Sequence, residues 1–266
     1  MTQAHPKDPV VLNTIESGSS NNPPLIVLHG LFGSSTNWRS ITKQLAEDFY
    51  VIAADMRNHG ESPWADTMEY SEMAADVALL IKNRRLERPS VIGHSMGGKA
   101  AMAVAQLHLA ELDKLVIADI APVSYSHSHE GFVSAMRSIE FGQINSRSDV
   151  DAALSGSIEE PGIRHFLLQN LKRGENGYFW RINLEAIHTN MSALLDYHID
   201  QSTNTSALFI AGELSNYIEP EAHQVIKGMF PNWQVQTIEK AGHWLHAEQP
   251  DRFVDIVKDF LNPSSD

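Results

Sequence analysis

The sequence predicts an α/β fold in which a mostly parallel sheet is covered by helices on both faces. Short apolar runs recur along the chain, each followed by Gly, Asp or His, which is typical of buried parallel strands. Helix-like stretches such as 71–85 separate these runs and carry apolar residues on one face. Alternation of the two patterns indicates strand–helix units. The apolar runs are 25–28, 50–54, 90–92, 115–118 and 207–211.

The alternation is interrupted once, over residues 123–204, by segments of helical and polar pattern. We therefore predict a helical cap at 123–204, inserted in a core domain of residues 1–122 and 205–266. Ligands of open α/β sheets bind beyond the carboxyl ends of the strands. A cap at that edge would form the substrate pocket.

Composition excludes several classes of function. A net charge of -13 repels nucleic acid, and the absence of cysteine excludes disulfides and thiolate metal sites. No apolar run approaches the ~20 residues of a membrane helix, and the first ten residues lack a secretory leader pattern. We predict a cytoplasmic monomer or small homo-oligomer that acts on a small molecule. The basic pairs at 84–85 and 172–173 leave an anionic substrate open, although solvated helix ends are the preferred explanation of both pairs.

The strongest chemical signal is Gly93-His94-Ser95-Met96-Gly97, which follows a short strand and opens a helix. This is the context of a nucleophile elbow, a strained turn that raises a serine above the edge of the sheet. Glycine at the flanking positions lets neighbouring backbone approach closely. Ser95 is therefore the predicted nucleophile.

A second motif, His29-Gly30-Leu31-Phe32-Gly33, runs from a strand end into a glycine loop. Such a loop can donate a backbone N–H to the oxyanion of a tetrahedral intermediate, with the Met96 N–H as the other donor. The sequence does not separate Leu31 from Phe32 as the loop donor. His29 is predicted to be structural.

A serine nucleophile needs a base, and His243 in Ala241-Gly242-His243-Trp244 is the best candidate. It follows the last predicted strand and precedes a final helix that begins near Pro250, so it lies on a loop that can face the site. His246 competes with it, but no glycine precedes His246. We interpret His246 as a pocket wall or a surface residue.

The acid that orients the base is less directly marked. Many proteins with this chain order place an Asp at the position that falls here on Ser215, which carries no charge. Asp119, at the end of the strand beside the nucleophile strand, is preferred over Glu213. Asp55 is predicted to tie loops together, and Lys99 to form a structural ion pair or cap.

Five segments together resemble the YbfF esterase family of α/β-hydrolases, bacterial relatives of a mitochondrial abhydrolase: LHGLFGSSTNW, DMRNHGESP, GHSMGGKAAM, DIAPVSY and AGHWLHAE. The resemblance spans 25–248. It implies an α/β-hydrolase fold with about eight strands and a cap after the sixth. It also implies an esterase or acyl-CoA thioesterase without cofactor or metal, whose triad falls on Ser95, Asp119 and His243.

These observations predict a serine hydrolase that cleaves a small-molecule ester or thioester through an acyl-enzyme on Ser95. Two alternatives stay open. The same triad can serve a C–C bond hydrolase or lyase, and a hydrolase scaffold can bind a ligand without turnover. Dehalogenase and epoxide-hydrolase chemistry are set aside because they need an Asp at position 95.

Overall fold

A computed structural model describes residues 8–107, 109–126 and 129–262. Residues 1–7, on which the prediction about a leader partly rests, lie outside the described residues. The strands are β1 (Thr14–Ser17), β2 (Pro24–Leu28), β3 (Tyr50–Ala54), β4 (Ser90–His94), β5 (Lys114–Ala118), β6 (Leu171–Gly174), β7 (Gly177–Trp180), β8 (Ser206–Gly212) and β9 (Trp233–Ile238).

Over these described residues, seven strands form the main sheet in the order β1-β3-β2-β4-β5-β8-β9, and only β1 runs antiparallel to its neighbour. Successive side chains of a strand point to opposite faces. Leu25 and Val27 therefore pack with one hydrophobic cluster, and Ile26 and Leu28 with the other. The central strands are buried on both sides, as the continuous apolar runs predict, whereas the edge strands β1 and β9 are partly exposed.

Helices cover the two faces. The cluster of Leu25 includes residues of the first and last helices, and the cluster of Ile26 includes residues of the second and third. The helices are α1 (Arg39–Leu45), α2 (Tyr70–Arg84), α3 (Met96–Gln106), α4 (Glu130–Arg137), α5 (Arg147–Ser155), α6 (Pro161–Leu168), α7 (Leu184–Thr189), α8 (Met191–Leu195), α9 (Ala222–Met229), α10 (Leu245–Glu248) and α11 (Pro250–Leu261).

The expected strand count is corrected by one. In the described part of the chain a single strand, β1, precedes the first parallel strand, so the insert follows the fifth strand instead of the sixth. The segment just before β1 does not add another strand, because its backbone N–H groups are bonded to side chains of other segments. The Val10 N–H donates to Asp76 and the Asn13 N–H to Ser62.

The insert is also not purely helical. Between α6 and α7 the strands β6 and β7 form an antiparallel hairpin, and its turn needs a glycine at Gly177, where φ is +111°. The insert touches the core near the predicted site: the Asn170 side chain donates to the carbonyl of Phe32, and the Asn183 N–H to that of Asn58. The domain limits at 122 and 205 stay a prediction.

One member of each basic pair is already paired with a carboxylate of this chain. Arg84 pairs with Glu16 at 2.7 Å, and Lys172 lies 3.5 Å from Glu61. These are exposed ion pairs of the kind that contributes little to stability.

None of the helices within the described ranges is long and apolar enough to cross a bilayer.

Candidate active site

Ser95 lies on a strained turn between β4 and α3, with φ 51° and ψ -118°. A non-glycine residue in this region costs free energy, which the surrounding structure must offset. The turn is tightly packed: a Cβ on Gly93 would lie 2.3 Å from the carbonyl oxygen of Gly97, and one on Gly97 would lie 2.5 Å from that of Leu28. The two glycines of the predicted elbow are therefore required by close backbone contacts.

Asp119 and His243 meet beside the elbow. Nδ1 of His243 lies 2.8 Å from Oδ2 of Asp119, which is fully buried. The Asp119 carboxylate also accepts the Gly212 N–H at 3.0 Å and the hydroxyl of Ser215. Since a carboxylate accepts only, Nδ1 carries the proton and Nε2 is the basic nitrogen.

Two further residues contact His243, one at its ring and one at its backbone, and neither was predicted. Tyr217 stacks on the ring of His243 with centroids 3.9 Å apart, and Nε2 of His94 lies 2.8 Å from the His243 carbonyl oxygen. In the sequence, His94 stands out only as the variable residue before Ser95 in the elbow motif. Tyr217 follows β8 without any local signal, so contacts across the sheet edge were needed to find it.

The alternative acids lie in other networks. Glu213 accepts the N–H of Lys240 at 2.7 Å. Asp55 accepts the N–H groups of Ser35 at 2.7 Å and Glu61 at 2.9 Å, as expected of a residue that ties loops together. Within the described residues, neither carboxylate has a hydrogen bond to His243.

The two predicted loop donors differ in their contacts. The N–H of Phe32 is already donated to Nε2 of His59 at 3.2 Å. Both residues border a cavity next to Ser95, and Leu31 also borders a second one. His29 is structural, since its Nε2 accepts the Met56 N–H at 2.9 Å.

Comparison with known proteins defines the family. A family model of the alpha/beta hydrolase fold matches residues 23–250. The sn-1-specific diacylglycerol lipase ABHD11 of Mus musculus is 35% identical, over 95% of this chain and 85% of the mouse protein. Esterase YbfF of Escherichia coli K12 is 34% identical, over 91% of this chain and 94% of its own. The solved structure "Marine microorganism esterase" matches with a TM-score of 0.91 and 41% identity, over 94% of this chain and 99% of that one.

The chain belongs to the α/β-hydrolase family. The predicted fold and the resemblance to YbfF-like esterases are thereby confirmed. In this α/β-hydrolase, Ser95, Asp119 and His243 occur in the chain order Ser, Asp, His, which is the order of the triad in other members of the fold. The triad itself stays a prediction.

Two cavities of the described structure meet at Ser95, and Leu31 and His129 also line both. The larger, here called the base-side cavity, is lined by His243, His246 and insert residues such as Phe166. His246 stacks on Trp38 with centroids 4.2 Å apart, so it forms part of the wall. The smaller, here called the lysine cavity, is lined by Lys99, Tyr70, Met96, Ile120, Tyr125, Met191, Leu194, Leu195 and Tyr217.

Buried histidines around the site stay neutral in the folded α/β-hydrolase. Burial lowers the pKa of His59 and of His246 to about 3, and it also lowers the pKa of His29 and His94. A neutral imidazole can serve as both donor and acceptor, which suits a network of backbone contacts.

We expect the free energy of unfolding to fall as the pH drops from 7 to 5. Unfolded histidine binds a proton near pH 6.5, whereas folded His59 and His246 bind one only near pH 3. The unfolded state therefore holds more protons in this window, and stability is lost as the pH falls. Each group contributes about 1.4 kcal/mol per pH unit, or about 2 kcal/mol by pH 5.

Urea unfolding at pH 7, 6 and 5 measures this slope. His246→Gln should flatten it by one group's share, whatever the variant's absolute stability. Carboxylates with ordinary pKa values stay largely ionised above pH 5. Asp76, whose pKa burial raises, is the same in wild type and variant, so the difference between their slopes reports His246. Equal free energies at pH 7 and 5 would contradict the prediction.

Proposed function

We propose that this α/β-hydrolase cleaves carboxylic esters and acyl thioesters through an acyl-enzyme on Ser95. The observation that carries the proposal is the 2.8 Å hydrogen bond from His243 to buried Asp119, beside a serine on a strained elbow. The names of the relatives, an esterase and a diacylglycerol lipase, agree with ester substrates.

In the proposed first step, Nε2 of His243 takes the Ser95 proton as the hydroxyl oxygen attacks the substrate carbonyl carbon. The resulting oxyanion accepts hydrogen bonds from the backbone N–H groups of Met96 and Leu31. Leu31 is preferred over Phe32 because the Phe32 N–H is already bonded to His59. Met96 is the first residue of α3, so its N–H has no partner within the helix.

The intermediate then collapses. The carbonyl–oxygen or carbonyl–sulfur bond breaks, and the imidazolium of His243 gives its proton to the leaving alcohol or thiol. In the second half of the reaction, water attacks the carbonyl carbon of the acyl-enzyme while His243 takes a proton from it. The bond to Ser95 then breaks, and His243 returns the proton to the Ser95 oxygen. Asp119 stabilises the positive charge on the imidazolium in both steps. Residues 123–204, as a cap, would close the site over the acyl group.

Covalent labelling tests the proposal. Wild-type protein treated with a fluorophosphonate should gain the mass of one adduct, which peptide mapping assigns to Ser95, whereas Ser95→Ala should gain none. Ethyl butanoate and S-ethyl thiobutanoate then form a matched pair for turnover. Labelling without turnover of either would favour a ligand-binding scaffold or C–C bond chemistry instead.

A further inference from the structure

Lys99 is a buried cation one helical turn from the proposed nucleophile. Its side chain is 1% exposed, and it lines the lysine cavity together with Ser95 and Met96. Among the described residues it forms no ion pair, contrary to one of the two roles predicted from the sequence. Buried ammonium groups are normally paired with an anion, because desolvation of an isolated charge is costly.

Neutral groups hold this ammonium in place. Nζ donates to the carbonyl oxygens of Leu195 and Asp196, each at 3.0 Å, at the end of α8. An ammonium has three N–H groups, so one more is available for a ligand. Carbonyls and aromatic rings offer only partial negative charge. The rings around Nζ are those of Tyr70, Tyr125 and Tyr197, with centroids at 5.4, 4.9 and 5.9 Å.

The proton route of acyl transfer indicates which part of the substrate faces Lys99. His243 must reach the leaving group to protonate it. His243 lines the base-side cavity and is absent from the lining of the lysine cavity. The leaving group therefore occupies the base-side cavity, and the acyl chain extends into the lysine cavity.

We propose that Lys99 binds a carboxylate at the far end of the acyl chain, so that the preferred substrates are half-esters of short dicarboxylic acids. The inference rests on the acyl transfer proposed for Ser95. A substrate carboxylate would accept the third N–H of Nζ and place a full negative charge in direct contact with the ammonium. The chain must be short because the lysine cavity is the smaller of the two.

The groups that face Lys99 support a dependence on pH. Burial raises the pKa of Tyr70, Tyr125 and Tyr197, so these rings stay neutral. The carboxylate of Asp196 is bonded to the Ser124 hydroxyl and the Tyr197 N–H. Burial lowers the pKa of Lys99 itself to about 7, and the negative charge of the Asp196 carboxylate only partly opposes this shift. Anion binding should therefore weaken as the pH rises above 7.

The test compares monoethyl succinate with ethyl levulinate, in which a methyl group replaces the carboxylate oxygen. At pH 6 the ratio of their kcat/KM values should be at least about 10 for the wild type and should fall at least about tenfold in Lys99→Met. Lys114→Met is the matched control. Lys114 also donates to two carbonyls, those of Phe260 and Leu261, but lines neither cavity.

A second measurement needs no variant, in case Lys99→Met fails to fold. In the wild type the ratio should decline between pH 6 and 8.5, because Lys99 loses its charge, whereas changes in the acyl-transfer step affect both esters alike and cancel in the ratio. A ratio near one at pH 6, or equal ratios in Lys99→Met and Lys114→Met, would overturn the inference. If ethyl levulinate is not hydrolysed and Ser95 is not labelled, the proposed function itself fails.

Discussion

Ser95→Ala is expected to lower kcat for ester hydrolysis by about 10⁴- to 10⁶-fold. The variant keeps both cavities and the oxyanion donors but lacks the hydroxyl that forms the acyl-enzyme. Substrate binding should survive, because the residues that line the cavities are unchanged apart from residue 95 itself, which loses only its hydroxyl oxygen. Initial rates with ethyl levulinate, together with an independent binding measurement, separate the lost chemistry from the retained affinity.

The fold of this variant can be checked against the elbow. Alanine keeps the Cβ, so the strain at φ 51° persists and the unfolding midpoint should match the wild type. Ser95→Gly is the matched control: it should be equally inactive but more stable by about 1 kcal/mol, because glycine adopts this backbone region easily. Activity of Ser95→Ala above about 1% of wild type would mean that another group is the nucleophile.

The elbow could be predicted because its backbone demands particular residues at fixed positions. Gly93 and Gly97 are needed where other residues would collide with backbone, so the motif is local and visible in the sequence. Asp119 was preferred because the common acid position holds Ser215. The structure brings Asp119 and His243 together, and Ser215 donates to the same carboxylate. Their catalytic roles remain predictions.

Contacts between distant segments could not be predicted. Lys99 was expected to form an ion pair or cap. Its partners are the carbonyls of Leu195 and Asp196 at the end of α8, so the cap agrees with the structure, but no local pattern connects α3 with that helix end. The hairpin of β6 and β7 was missed because its strands have four residues each, too few for a clear alternation. The preference for Leu31 over Phe32 as the oxyanion donor rests on the contact of the Phe32 N–H with His59, which the sequence does not reveal.

Asp119→Asn is expected to lower kcat by about 10⁴-fold while the imidazole stays close to its position. An amide is neutral and cannot stabilise the imidazolium. Its NH₂ group would also favour the tautomer in which Nδ1 accepts and Nε2 carries the proton, so Nε2 could no longer act as base. Measured as kcat against pH, the loss should persist across the neutral range. Glu213→Gln is the control and should change kcat less than about twofold, since Glu213 is bonded to Lys240 and not to His243.

A double variant tests whether charge at this point, rather than the identity of residue 119, is what His243 needs. The hydroxyl of Ser215 and Nδ1 of His243 bond to the same oxygen of Asp119. Asp119→Asn combined with Ser215→Asp therefore puts a carboxylate back within reach of the ring. We expect it to recover about 10²-fold of the lost kcat. If Asp119→Asn alone kept near wild-type activity, Asp119 would not be the acid. If the double variant were as inactive as Asp119→Asn alone, His243 would need the acid at the end of β5 itself.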